Sequence, residues 1–595
     1  MKRLCLAFCL SALSLHAAEG LQPRAFTFDP GGAASSAAVS IPVAATNTVC
    51  SPGAGWRIAA SVPEDGVRLL NLSWTSAGEP RLPAPVTLSF DVPIGDSAGL
   101  WEPVEHVRTP FRGGEASKFC YSTPVRSWFA NGDENRLTLA WSECVREVRF
   151  APAIIVEERD SFVYRVKMTF FAEPEAPLAR WECAIRLDSR VCDWSQTVQE
   201  ASRWVASAAR AVPLPPPEAA YEPVYSTWYA FNKFFDAPTL EKECAAAAKL
   251  GMKTIITDDG WQQAYGDWAP VPETFPDMRG HVARVHALGM KYMLWYSMAF
   301  VAKESRTYPV FRGKYLMDGR LWGQDLGVLD PRFPEVRAFI VGNLVRMMTD
   351  WNLDGYKIDF IDFFRIFGTD PAVKENYAGR DYKSVSEAAK ALLAEISTRL
   401  KALKPDVLLE FRQPYIGPVT AHYGNMLRAN DCPGDPLANR VRTANIRLTA
   451  CGTPVHADML RWTPSGDAAT AAQAILSVIF TTVQYSMVLD TIPAVQKAEI
   501  AKWIAFSEAH RDALQRGGFR AHNPAANYPL LEGWSDTERI FGVYDPAIVV
   551  SVPADARKVI LVNATPATRL AVSEGGSLRW IAVAPYGFAE LPRTK

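Results

Sequence analysis

From Val86 to Val92 the chain alternates apolar and polar residues, Val-Thr-Leu-Ser-Phe-Asp-Val, and it does so again from Phe162 to Phe170. A period of two belongs to a strand with one buried face. Gly and Pro punctuate such runs from about residue 21 to 215, which predicts an N-terminal β-sandwich. The stretch Val212-Pro213-Leu214-Pro215-Pro216-Pro217 reads as a stiff linker that closes it. After the linker, short apolar runs alternate with helix-period segments, the pattern of a parallel sheet. Eight strands are expected: Val224–Tyr229, Thr254–Thr257, Tyr292–Tyr296, Gly355–Phe360, Val407–Phe411, Met426–Asn430, Pro454–Ala457 and Tyr485–Leu489. Helices are expected between most of them, at Thr239–Leu250, Pro276–Leu288, Pro334–Trp351, Ser384–Leu403 and Ala468–Phe480. Gly251 and Gly289 follow two of these, where a helix end favours glycine. Eight strands over this length fit a (β/α)₈ TIM barrel. A doubly wound sheet is the alternative, and its Gly-rich phosphate loop is absent from the sequence. From about residue 520 short apolar strands return, at Ile540–Tyr544, Ile548–Val552 and Val559–Val562, and predict a small C-terminal β-domain.

The amino terminus departs from this texture. Met1-Lys2-Arg3 leads into an apolar run from Leu4 to Leu15 and then Ala17-Ala18, which reads as a secretory signal peptide of residues 1–18. The run is too short to span a membrane. The expected divisions are then 19–215, 216–515 and 516–595, and the expected location is secreted or periplasmic. Of the ten cysteines, Cys5 and Cys9 leave with the leader. The other eight form no C-x-x-C pair, so a zinc site is not indicated, while export permits disulfides. A formal net charge of −1 gives no electrostatic case for nucleic acid, and no later run is apolar enough for membrane insertion. The 18 Trp and 19 Tyr supply both core and the kind of ring on which sugar faces stack.

Candidate chemistry gathers at the carboxyl ends of the expected barrel strands, where such folds place their catalytic groups. Strand one ends in Trp228-Tyr229, strand two in Asp258-Asp259-Gly260-Trp261 and strand three in Trp295. Strand four carries Lys357 and Asp359, two apart and so on one side, with Asp362 following; an ammonium beside Asp359 would keep it ionised. Strand five carries Glu410 and Arg412, and strand six Arg428 and Asp431 with Asp435 beyond. Strand seven carries His456 and Asp458, and strand eight ends in Asp490. Each has a plainer reading. Lys357 and Asp359 can be a structural ion pair, Asp258-Asp259 a helix-capping turn, Trp228 and Trp295 core, and Asp431 to Asp435 a solvated loop. His456 reads as a structural residue rather than a metal ligand. Together, acids and tryptophans at matching strand ends suit a sugar, and two such acids can cleave a glycoside.

Taken in order, Trp228, Asp258-Asp259-Gly260-Trp261, Gly266-Asp267-Trp268, Thr274-Phe275-Pro276, Gly289-Met290-Lys291, Leu294-Trp295 and Lys357-Ile358-Asp359 resemble the melibiase-type α-galactosidases of glycoside hydrolase clan D, closest to family 36. The resemblance spans about residues 220 to 490. It implies Asp359 as nucleophile and Asp431 as acid/base, with Asp435 in reserve. It implies Lys357, Asp258 and Asp259 on sugar hydroxyls, and Trp228 and Trp295 lining the pocket. Arg412, Arg428 and Asp435 complete the expected substrate contacts. The implied reaction is a double displacement with net retention, which requires the two carboxyls about 5–5.5 Å apart. Asp431 must then begin protonated, which calls for a raised pKa. No metal or organic cofactor is implied.

Three departures bear on the sugar rather than on the reaction. The Cys- and Gly-rich segment usual after strand five is replaced by Glu410-Phe411-Arg412-Gln413-Pro414-Tyr415. Strand six reads Arg-Ala-Asn-Asp-Cys-Pro-Gly-Asp, and strand three lacks the usual Glu after Trp295-Tyr296-Ser297. The expectation is an exo-acting retaining α-galactosidase acting on an oligosaccharide or glycoconjugate, as a monomer or a homo-oligomer. Alternatives are an α-N-acetylgalactosaminidase, for which small residues are needed near Cys432 to Pro436, and a transglycosylase of the raffinose-synthase kind. A non-catalytic carbohydrate-binding protein is a third, against which the presence of both Asp359 and Asp431 argues.

Overall fold

Apolar alternation at 86–93 and 163–170 builds one face of a two-sheet sandwich. In this computed structural model the described residues run from 23 to 592, leaving out 24, 30–38, 43–48, 104–113, 115, 120, 156–161 and 174–175. The expected signal peptide and Cys120 therefore lie outside the described residues. A five-stranded sheet carries Val86–Pro93 and Val163–Phe170 as neighbours, and a seven-stranded sheet faces it. Leu88, Val166 and Met168 from the first meet Leu72, Trp128, Trp141 and Ile185 from the second in one core. Every second residue of Val86–Pro93 is buried, as the period of two requires.

The region up to 215 is not β throughout. Trp194–Ala208 is a helix, capped by Asp193, whose carboxylate accepts from the Gln196 N–H at 3.0 Å. Its buried stripe, Trp194, Val198, Ala201 and Val205, has helical spacing but is set among Ser, Thr and Ala. Trp101 Nε1 donates to Asn445 Oδ1 at 3.0 Å and to the Tyr528 hydroxyl at 2.8 Å, so one indole ties the sandwich to the barrel and to the C-terminal sheets.

All eight expected barrel strands form, in sequence order and parallel. They are Val224–Ser226, Thr254–Thr257, Lys291–Ser297, Gly355–Asp359, Leu408–Arg412, Met426–Arg428, Val455–His456 and Gln484–Tyr485. The eighth pairs with the first. The Ala457 N–H donates to the Thr482 carbonyl at 3.0 Å and closes the ring between strands seven and eight. A helix follows each strand, from Ala237–Leu250 to Ala494–Ala509. Gly251 ends the first of these in the left-handed region, at φ 101°. The amino end of the barrel is plugged by Val224, Ile256, Met293, Leu408 and Met426 over Ala219 and Ala220.

One element went unread in the sequence. After strand three, Phe300–Ala302, Tyr315–Leu321 and Gln324–Leu329 form a three-stranded antiparallel sheet. Beyond the barrel a five-stranded and a three-stranded sheet enclose Phe541, Val543, Val550, Leu561, Leu570 and Val572. Among the described residues no helix is long and apolar enough to cross a membrane, and no two cysteines are bonded to each other.

Candidate active site

The Gly355–Asp359 strand is buried along its length and delivers a carboxylate at its end. Asp359 Oδ1 accepts from Arg412 at 3.0 Å, from the Tyr415 hydroxyl at 2.5 Å and from the Phe360 N–H at 2.8 Å. Phe360 itself takes a left-handed conformation, φ 63°. Oδ2 accepts from Trp295 Nε1 at 3.0 Å. Oδ1 is thus crowded, and Oδ2 is the oxygen with a lone pair to spare. Burial alone would push this carboxyl up; Arg412, then Lys357, with the Tyr415 and Trp295 hydrogen bonds, outweigh it and hold the group well below the usual carboxylate range. The result is a buried, ionised, oriented carboxylate, which is what a nucleophile needs.

Lys357 makes its ion pair elsewhere than expected. Its Nζ lies 2.5 Å from Asp258 Oδ2, across the barrel mouth, and acts on Asp359 through space. Burial raises the Asp258 carboxyl above its ordinary value even with Lys357 in contact. Asp259 points into a separate polar nest: Lys233 Nζ at 2.7 Å, the Tyr265 hydroxyl at 2.6 Å and Gln262 Nε2 at 2.5 Å. Both acids are therefore held as acceptors at the end of strand two, and neither serves as a helix cap.

Strand six builds a second centre around Arg428. This guanidinium is buried and pairs with Glu410 at 3.3 Å, Asp458 at 2.5 Å and Asp431 at 3.1 Å. It was expected to bind substrate; in the structure it lies buried under the site, ion-paired with three acids. Arg412 is likewise engaged with Asp359 and, at 2.9 Å, with Asn430 Oδ1. Asp431 stands at the mouth with its side chain 45% exposed. Burial raises its carboxyl, but Arg428, Lys357 and Arg412 outweigh that and the net direction is down. These neighbours therefore act against the raised value expected for an acid catalyst.

Three further residues sit differently from the strand-end positions read for them. Asp435 caps the Pro436–Thr449 helix, accepting from the Ala438 N–H at 2.9 Å, and is exposed. Asp490 lies on the surface and pairs with Lys242. Trp228 is half-buried and opens a short helix, Trp228–Phe231, rather than ending a strand. His456 is buried, with Nε2 2.8 Å from the Ala220 carbonyl, and burial pushes it down to about 4. Among the described residues no group of three or more His, Cys, Asp or Glu is arranged to hold a metal ion.

Tyr415, Tyr265, Lys233 and Gln262 had not been read as site residues. Tyr415 follows strand five by three residues and Tyr265 lies six beyond Asp259, so both were within reach of strand-end reasoning. Asp362 also gains weight. Its Oδ1 is buried without a hydrogen-bond partner among the described residues. Burial, with the charge of Asp359 adding to it and Arg412 opposing, pushes it up to about 6.

A (β/α)₈ barrel with acids at the mouth and an ionised aspartate on strand four defines a class, and comparison with known proteins narrows it. Residues 219–411 match the family model for melibiase, so the first five strands form a melibiase-like segment. The α-galactosidase Mel36A of Lactobacillus acidophilus is 32% identical over 148 residues, 23% of this chain and 19% of that protein. An "A type blood alpha-D-galactosamine galactosaminidase" of Flavonifractor plautii is 30% identical over 162 residues, 24% of this chain and 15% of that protein. The matched stretch thus spans less than a fifth of either relative. The fold extends further: the Lactobacillus brevis α-galactosidase superposes with a TM-score of 0.60 at 16% identity, covering 88% of this chain and 75% of its own. A variant of the Geobacillus stearothermophilus α-galactosidase AgaA, solved with 1-deoxygalactonojirimycin, gives 0.61 at 15% identity over 96% of this chain and 86% of its own.

Proposed function

We propose that this protein is a glycoside hydrolase that removes terminal α-D-galactosyl residues by double displacement. The observation that carries the reading is the treatment of Asp359: a buried aspartate kept ionised by Arg412, Tyr415 and Trp295 with Oδ2 left available. In the first step Oδ2 attacks the anomeric carbon while Asp431 protonates the departing oxygen, and a β-linked ester forms on Asp359. In the second, Asp431 takes a proton from water, which attacks the same carbon and releases the sugar with net retention. Asp258, Asp259 and Lys357 accept from and donate to the hydroxyls of the bound sugar. A melibiase-like segment and the α-galactosidase relatives support the choice of sugar. The same reading includes export from the cytoplasm, on the strength of the Met1–Ala18 sequence.

A second reading has its own support. The Flavonifractor plautii relative is named for a galactosaminidase, so a 2-amino or 2-acetamido sugar is the next substrate to consider. The test is hydrolysis of aryl α-galactoside against aryl α-N-acetylgalactosaminide and α-galactosaminide, with proton NMR of the first-formed anomer. Release of α-galactose first supports the proposal. Release of the β-anomer contradicts double displacement, and preference for an amino sugar replaces galactose.

A further inference from the structure

The unread hairpin after strand three turns on two residues, Trp322 and Gly323, between Leu321 and Gln324. Their φ angles are 49° and 80°. Two positive φ values in a two-residue hairpin loop are the geometry for which Asn-Gly is the ordinary choice. A bulky residue at the first position is a backbone misfit, and such misfits concentrate where function demands them. The side chain does not earn its place by burial, because Trp322 is 62% exposed.

Its ring instead tops an aromatic stack. Trp322 meets Phe300 at 5.5 Å and Phe363 at 5.3 Å, both edge-on, and Phe360 at 5.4 Å. Phe360 meets Trp295 at 6.1 Å, and Trp295 holds Asp359. Aromatic surface is thus continuous from the nucleophile to the open end of the hairpin. A guanidinium flanks it: Arg365, exposed, lies 5.6 Å from the Phe363 ring. An exposed ring with a guanidinium nearby matches a sugar, whose C–H face stacks and whose hydroxyl oxygens accept from the guanidinium. A depression near the mouth, between Tyr229, Pro433, Arg461 and Trp462, offers no comparably exposed indole among the described residues. Trp462 is buried, and its Nε1 donates to Gln496 at 3.0 Å.

We propose that Trp322 is the platform of a leaving-group subsite, stacking on the saccharide from which the terminal galactosyl residue is cut. The proposal rests on the galactosidase reading above. Trp322→Asn tests it cleanly, because Asn-Gly suits the turn and removes the ring while keeping the hairpin. α-Galactosyl fluoride has a leaving group too small to reach Trp322, whereas raffinose leaves sucrose. The expected result is a fall of at least tenfold in kcat/KM for raffinose with the fluoride rate within twofold and the thermal midpoint unchanged. Equal losses on both substrates, or no loss on either, overturn the subsite while leaving the galactosidase reading intact. A wild type inert on both substrates would remove that reading instead. The subsite is then decided by saturation-transfer NMR with sucrose: transfer to sugar C–H protons that disappears in Trp322→Asn upholds it, and its absence in the wild type overturns it.

Discussion

Lys357 Nζ sits 2.5 Å from Asp258 Oδ2, although Asp359 is its neighbour two residues along the same strand. The ammonium belongs to strand four and the carboxylate to the end of strand two, so the pair spans the barrel mouth. Its electrostatic reach still includes Asp359, whose depressed pKa it helps to maintain.

Lys357→Met removes a charge that acts on Asp258, Asp359, Glu410 and Asp431. Asp258 loses its counter-ion in a buried site and Asp359 loses one of its two nearby cations. The expected outcome is a fall in kcat/KM of roughly 10²–10³-fold, comparable to about 3–4 kcal/mol of transition-state stabilisation. The acid limb of the pH profile should also move to higher pH, because the Asp359 carboxyl rises. Steady-state kinetics from pH 3 to 8 check both.

Asp431→Ala removes the proposed proton donor and leaves Asp359 in place. Substrates with poor leaving groups should suffer by about 10²–10⁴-fold, the usual range for general acid catalysis. An activated aryl galactoside or the fluoride should be formed into the ester at a much smaller penalty. A uniform loss across leaving groups would mean that Asp431 does not donate the proton.

The pH profile separates two acids. Asp359, depressed, stays ionised down through pH 4, so it does not set an acid limb above that value. Asp431, also depressed, must be protonated to act, and above its pKa that form falls tenfold per pH unit. With Asp431 as the acid, kcat/KM of the free enzyme declines with a slope of −1 throughout the range above its depressed pKa, with no plateau near neutrality. A plateau that instead holds to about pH 6 and is lost in Asp362→Asn would transfer the role to Asp362. The depressed Asp359 pKa also stabilises the fold. That contribution is complete above the unfolded carboxyl pKa of about 3.9 and is lost as pH falls toward the folded value.

Much of this arrangement was legible in the chain. Parallel strands buried on both faces read as short apolar runs, and acids at their ends marked the mouth. Who pairs with whom was not legible, since the Lys357–Asp258 and Arg412–Asp359 contacts depend on curvature around the barrel. The hairpin at 315–329 escaped because its strands carry Asp318, Arg320, Gln324 and Asp325 on an open surface, which blurs the period of two. Asp435 is a different case. Asp followed by Pro436 is a helix-start signature, and the local signal was sound.

Away from the chemistry, Arg332 tests the scaffold. It is fully buried and pairs with Asp330 at 2.9 Å and Asp370 at 2.8 Å, with Arg380 on Asp330 at 3.0 Å. The cluster pins the end of the hairpin sheet to the loop after strand four. Arg332→Met leaves two acids short of a partner and should destabilise the fold by about 3–5 kcal/mol. Thermal unfolding should show the barrel transition at lower temperature, with kcat/KM at 25 °C close to wild type.

The central claim is that Asp359 becomes covalently bonded to the sugar. Reaction with 5-fluoro-α-D-galactosyl fluoride, followed by proteolysis and mass spectrometry, tests it directly, because the second fluorine slows release of the ester. The account predicts one fluorogalactosyl unit on a peptide containing Asp359, absent in Asp359→Asn. A label on another carboxylate, or turnover with inversion and no label, would contradict it.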